Sequence, residues 1–176
     1  FKESNSNTNK ECVYIKSNVK SDDIIHITDC EFAYGSVLFD VLSAKVEKCD
    51  FSSITTSTNA IHYLSTAAAG TASSSYSFTI DSCNFSATAN IDPSVIYFGS
   101  QLFSKFTFTN NSITDITNNS RVLGCIENFE IIDDSYWSFN NNYILPADRE
   151  LIKTDYASKI PADCGEFGFL CELPTS

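Results

Sequence analysis

An eight-residue phrase returns five times along this chain: IHITDCEF from Ile25, AKVEKCDF from Ala44, FTIDSCNF from Phe78, FTFTNNSI from Phe106 and WSFNNNYI from Trp137. Self-similarity of this kind is the signature of a solenoid, in which each unit buries its apolar face only by stacking on its neighbours. Each copy reads apolar, polar, apolar, two polar residues, Cys or Asn, polar, then Phe or Ile. Alternation at period two marks a strand with one buried face, and the double polar step breaks its phase. Two short strands therefore meet at a corner in every copy.

A second phrase alternates with the first: ECVYIKS from Glu11, GSVLFDV from Gly35, NAIHYLS from Asn59, PSVIYFG from Pro93, SRVLGCI from Ser120 and RELIKTD from Arg149. Measured between Val13, Val37, Ile61, Val95, Val122 and Leu151, the repeat runs 24, 24, 34, 27 and 29 residues. A constant core with a variable period is what loops inserted at the corners of a coil produce. Leucine-rich repeats hold a stricter Leu and Asn spacing, and helical repeats would not alternate β-branched and aromatic residues with Ser, Thr and Asn. The fold expected is all-β, a parallel β-helix of about six coils over residues 11–155. Residues 1–10 (FKESNSNTNK) read as a polar linker or frayed terminus, and residues 156–176 as a Cys-containing C-terminal cap. Residues 66–77 read as a small-residue insertion, and residues 127–136 as an extra strand or side patch.

Stacking the copies gives columns. One holds Ile25, Ala44, Phe78, Phe106 and Trp137; the next Ile27, Val46, Ile80, Phe108 and Phe139; another Phe32, Phe51, Phe85, Ile113 and Ile144. All are apolar, and strands ~4.8 Å apart would set like side chains above one another in the interior. The residues between, Thr28, Glu47, Asp81, Thr109 and Asn140, are polar and are expected to face outward or to occupy the corner. Asp29, Lys48, Ser82, Asn110 and Asn141 occupy the bend, where Asn and Asp tolerate a left-handed backbone and Lys48 is the exception.

The position after the bend is Cys30, Cys49, Cys83, Asn111 and Asn142. It reads as an inward column in which Cys is a small buried hydrophobe and Asn bonds its neighbours' backbone. A disulfide between stacked cysteines is permitted by the separation but made awkward by the parallel side-chain directions. A metal site is not indicated, because CxxC is absent and His26 and His62 fall on different phrases. Cys164 and Cys171 are the disulfide candidate, closing a short loop in the tail. With seven cysteines, at least one stays unpaired within the chain. Three acceptor sequons begin at Asn84, Asn110 and Asn118; Asn84 should point outward, Asn118 falls in a loop, and Asn110 sits in the tight bend.

Composition narrows the function. Apolar residues make up 43% of the chain and charged residues 19%, which suits a globular domain. A net charge of -11, with 11 dispersed basic residues, argues against nucleic acid as a partner. No apolar run approaches the ~18 residues of a transmembrane helix, and no signal peptide opens the chain. Met is absent, as expected of a processed product or an excised segment of something longer. GxSxG and P-loop motifs are absent. The acidic doublets Asp22-Asp23 and Asp133-Asp134 fall in loops of different coils, a poor arrangement for the convergent carboxylates of carbohydrate chemistry. No cofactor is indicated. Tyr14, Tyr34, Tyr76 and Tyr136 are the candidates for glycan contact.

The alternating phrases resemble the repeats of the polymorphic outer-membrane-protein family, in which a GGAI-like phrase alternates with an FxxN phrase. Gly35-Ser36-Val37-Leu38 and Pro93-Ser94-Val95-Ile96 stand where the first would fall, and Phe32, Phe51 and Phe85 where the Phe of the second would. No copy has the full GGAI, and Phe51-Ser52-Ser53-Ile54 and Phe85-Ser86-Ala87-Thr88 lack the final Asn. The resemblance, over about residues 11–155, implies a right-handed parallel β-helix and exposure on a cell or organelle surface. The expected function is a non-catalytic structural or adhesive module, outside the cell or on its surface. Its partners would be proteins, neighbouring coils or further copies at the solenoid ends, and glycans; the alternative is a carbohydrate-active enzyme or glycan-binding module.

Overall fold

The structure, a computed structural model, describes residues 13–16, 24–33, 36–54, 59–64, 76–87, 95–99, 105–114, 123–125 and 137–144. Everything regular in it is strand. Coil 1 holds β1 (Val13–Lys16), β2 (Ile25–Thr28) and β3 (Glu31–Ala33). Coil 2 holds β4 (Val37–Asp40), β5 (Ala44–Glu47) and β6 (Asp50–Ile54), and coil 3 holds β7 (Ile61–Tyr63), β8 (Ser77–Asp81) and β9 (Asn84–Ala87). Coil 4 follows with β10 (Ile96–Phe98), β11 (Lys105–Thr109) and β12 (Ser112–Thr114), and coil 5 with β13 (Leu123–Cys125), β14 (Trp137–Asn140) and β15 (Tyr143–Ile144).

Strands three apart in sequence pair in parallel, giving three five-stranded sheets: β1-β4-β7-β10-β13, β2-β5-β8-β11-β14 and β3-β6-β9-β12-β15. This is a parallel β-helix. Five coils lie among the described residues; the sixth phrase, from Arg149, lies outside them, as do residues 1–10 and the tail at 156–176.

Register decides which side chains enter the core, because a slip of one residue turns every side chain to the other face. In the second sheet the pairing runs Ile25, Ala44, Phe78, Phe106, Trp137 and, two residues on, Ile27, Val46, Ile80, Phe108, Phe139. The third sheet aligns Phe32, Phe51, Phe85, Ile113 and Ile144. These are the columns legible in the sequence. Phe32, Phe51 and Phe85 stack face to face, with centroids 4.7 and 5.0 Å apart and planes 8° apart at each step.

The first sheet departs from expectation at one step. Ile61 pairs with Ile96 rather than Val95, and Ile96 with Leu123 rather than Val122. The Val95 carbonyl accepts from both Ala60 (2.7 Å) and Ile61 (3.2 Å), which shifts the strand on by one residue. The shift places Phe98 in the interior, edge-on to Phe106 at 5.1 Å, and leaves the more polar Tyr97 half-buried on the other face. A smaller correction falls at Ser77, which opens β8 rather than closing the insertion.

Candidate functional site

The corner between the second and third sheets is the most regular feature of the molecule. Each coil turns there in two residues, and the first of them has a positive φ in every coil: Asp29 (53°), Lys48 (53°), Ser82 (54°), Asn110 (55°) and Asn141 (56°). Lys48 is no exception; its coil adopts the same turn with a side chain poorly suited to it. The turn is held from coil to coil. N–H groups of Asp29, Lys48, Ser82 and Asn110 donate to the carbonyls of Glu47, Asp81, Thr109 and Asn140 at 3.0–3.2 Å.

The second corner residue points inward. Cys49 and Cys83 are fully buried, Asn111 and Asn142 nearly so, and Cys30 is half-buried. Asn111 Oδ1 accepts from the Cys83 N–H (2.9 Å), and its Nδ2 donates to the Ile80 carbonyl (3.0 Å) and to Asn142 Oδ1 (3.2 Å). Asn142 repeats the pattern, taking the Asn111 N–H at 3.0 Å and donating to the Phe108 carbonyl at 2.8 Å. The cysteines fill the same role with a weaker donor. Cys49 Sγ lies 3.7 Å from the Ile27 carbonyl oxygen, and Cys83 Sγ 3.7 Å from that of Val46.

Cys30, Cys49 and Cys83 are free thiols. Cys49 is drawn down to about 7 by the adjoining Cys83 thiol, against burial that raises it, with the backbone of Cys30 and Glu47 assisting. The same contact and its own burial push Cys83 up.

On the outer surface polar side chains pair as well, some between coils and some within one. Asp81 accepts from Thr109 Oγ1 (2.9 Å) and Asn110 Nδ2 (2.8 Å), and Asn141 Nδ2 reaches Asn110 Oδ1 at 3.4 Å. Asn84 Nδ2 donates to Asp50 at 2.6 Å, Lys45 pairs with Glu47 at 3.0 Å, and Thr28 bonds Asp29 at 3.1 Å. Burial raises the Asp81 pKa, but hydrogen bonds from Asn110 and Thr109, the Lys45 charge and the Ser82 hydroxyl hold it below the ordinary value.

Of the glycosylation candidates, Asn84 and Asn110 are exposed, each with its amide nitrogen bonded to a carboxylate on the preceding coil. Asn118 and the pair Cys164 and Cys171 lie outside the described residues, as do Tyr34, Tyr136 and both acidic doublets. Tyr14 is 58% exposed, and Tyr76 is half-buried. His26 is exposed on β2, and His62 packs edge-on to Tyr97 at 5.3 Å.

Three features escaped the sequence reading. Asp40 is 1% exposed, although it occupies an outward position by alternation, and it receives Tyr14 Oη at 3.2 Å and Lys16 Nζ at 3.5 Å. Gly99 lies under His62, whose ring leaves no room for a Cβ at this position. Tyr143 is 54% exposed on the last described coil. Only the first carried a signal, an Asp set among the apolar residues of GSVLFDV.

Among the described residues, no three His, Cys, Asp or Glu side chains converge as a metal site, and no helix is long and apolar enough to cross a membrane. Set against known proteins, the chain matches no family model, no curated protein and no solved structure.

Proposed function

We propose that this chain is a non-catalytic structural or adhesive β-helix module of an extracellular or surface-associated protein, and that it works through its ends and outer faces. The observation that carries the reading is where apolar surface faces out. Val13, Ile15, Ile25, Ile27 and Cys30 of coil 1 are only partly buried, while their counterparts Val37, Phe39, Ala44, Val46 and Cys49 of coil 2 are at 0%. Among the described residues, the exposed large hydrophobics are Tyr14 and Ile24 in coil 1 and Tyr143 in coil 5. The coils between them carry none among the described residues. Open edges of parallel strands and an uncovered core cross-section are places where another coil or chain adds.

The disposition of the carboxylates supports the non-catalytic part. Among the described residues, Asp29, Glu47, Asp50 and Asp81 lie on outer faces and corners and Asp40 is buried, each held by a neighbouring donor, and they do not converge on one cleft. The exposed acceptor sequon at Asn84 and the resemblance to polymorphic outer-membrane repeats support the outward address.

Sedimentation velocity over a concentration series, combined with amide hydrogen exchange, tests the role of the ends. The module should self-associate with concentration, or show amides of Val13–Lys16 exchanging far faster than those of coil 3. A strictly monomeric chain whose first strand is protected like coil 3 would contradict the reading. Turnover of an acidic polysaccharide that is lost on Asp133→Asn would replace it with catalysis.

A further inference from the structure

Three sulfurs stand in file along the corner, and their surroundings repeat from coil to coil. Cys49 Sγ is 3.3 Å from the Glu47 carbonyl oxygen and 3.7 Å from that of Ile27. Cys83 Sγ is 3.3 Å from the Asp81 carbonyl oxygen and 3.7 Å from that of Val46. Glu47 is in register with Asp81, and Ile27 with Val46. The same two distances to equivalent atoms therefore place the sulfurs one coil step apart, ~4.8 Å. Cys30 repeats the nearer contact, 3.3 Å to the Thr28 carbonyl, and Thr28 is in register with Glu47. Its sulfur lies one step further out, on the half-buried coil.

That spacing suits one kind of coordination. Two metal–sulfur bonds of ~2.3 Å laid end to end span ~4.6 Å. A tetrahedral ion draws its sulfurs closer and needs further donors, which do not converge here among the described residues. A linear ion needs two thiolates only, and thiolate is the donor that selects Cu(I). Of the three sulfurs Cys49, common to both positions, is the one whose surroundings favour the thiolate, the Cys83 thiol first and the Cys30 backbone assisting, whereas burial and the Cys49 thiol oppose negative charge on Cys83. The file ends at Asn111, whose hard amide atoms do not suit a soft cation.

We propose that Cys30, Cys49 and Cys83 take up one soft monovalent cation, Cu(I) or its analogue Ag(I), in linear coordination between successive sulfurs. The outer position lies between Cys30 and Cys49, and the inner one between Cys49 and Cys83. On binding, two thiols each release a proton to solvent and two metal–sulfur bonds form, with no electron transferred. The complex carries one negative charge. Cys49 serves both positions, so the file holds one ion at a time, and half-buried Cys30 is its way in.

The test is anaerobic titration of the full chain with Cu(I) and with Ag(I), read by native mass spectrometry and by the thiolate charge-transfer absorption. Cys49→Asn removes the shared sulfur and keeps the side chain found at this position in coils 4 and 5. It should lower the stoichiometry by one ion per chain while leaving the far-ultraviolet circular dichroism unchanged. Cys30→Ser should keep the ion but take it up more slowly. Equal stoichiometry in the parent and Cys49→Asn overturns the proposal. A second protein, with Cys12, Cys125, Cys164 and Cys171 all replaced by Ser, isolates the three column thiols and should bind one ion; no uptake by the folded variant overturns the proposal equally.

Discussion

Replacing Asn111 with Ala removes the side chain on which the corner of coils 3 to 5 depends. Three hydrogen bonds go: one from the Cys83 N–H, one to the Ile80 carbonyl and one to Asn142 Oδ1. Two bonds of ordinary net worth contribute about 1 kcal/mol each, and a buried N–H left without its acceptor costs about 1–3 kcal/mol. The expected destabilisation is about 3–5 kcal/mol, a large share of the ~5–15 kcal/mol by which domains of this size are folded. Asn111→Cys separates this account from a simple loss of volume. A thiol serves at the same position in coils 2 and 3, so this variant should lose roughly 1–2 kcal/mol, the difference between an amide and a weaker S–H donor. Urea unfolding followed by circular dichroism measures both, with the slope unchanged if the native fold is kept. An Ala variant within about 0.5 kcal/mol of the parent, or a Cys variant no better than Ala, would refute the ladder as a source of stability.

Lys48 holds a left-handed turn that Asn accepts more readily, so Lys48→Asn should raise stability by about 1 kcal/mol; an unchanged or lower urea midpoint would count against strain at this corner. Phe51 sits between the rings of Phe32 and Phe85, and Phe51→Ala should cost about 3–5 kcal/mol, with a loss below about 1 kcal/mol incompatible with the stack. Asp81 has its pKa depressed in the folded chain, so its contribution to stability is present above the unfolded value of about 3.9 and is lost as pH falls through the folded pKa. Asp81→Asn should therefore flatten the acid limb of a stability–pH curve, and an acid limb as steep as the parent's would remove this residue from the account.

The solenoid was legible because its signal is additive over copies. Each strand spans only two to five residues, too few to identify alone, but five copies sharing a phase break defined both faces and the corner between them. The corner column was legible for the same reason, since Cys and Asn share small size and a donor group. The first sheet was less so. At PSVIYFG every residue from Val95 to Phe98 is apolar or aromatic, so period two leaves two registers open, and the choice falls to tertiary packing of Phe98 on Phe106. Buried Asp40 was hidden because its partners Tyr14 and Lys16 stand on the preceding coil, at a distance in sequence set by loop length. Gly99 under His62 carries no pattern at all in one sequence.

The coil-to-coil register at the corner is open to direct observation by NMR, through scalar couplings across hydrogen bonds from amide nitrogen to carbonyl carbon. Couplings are expected from the nitrogens of Asp29, Lys48, Ser82 and Asn110 to the carbonyls of Glu47, Asp81, Thr109 and Asn140. Couplings from the same nitrogens to neighbours one residue out of register, or to partners within their own coil, would contradict this register.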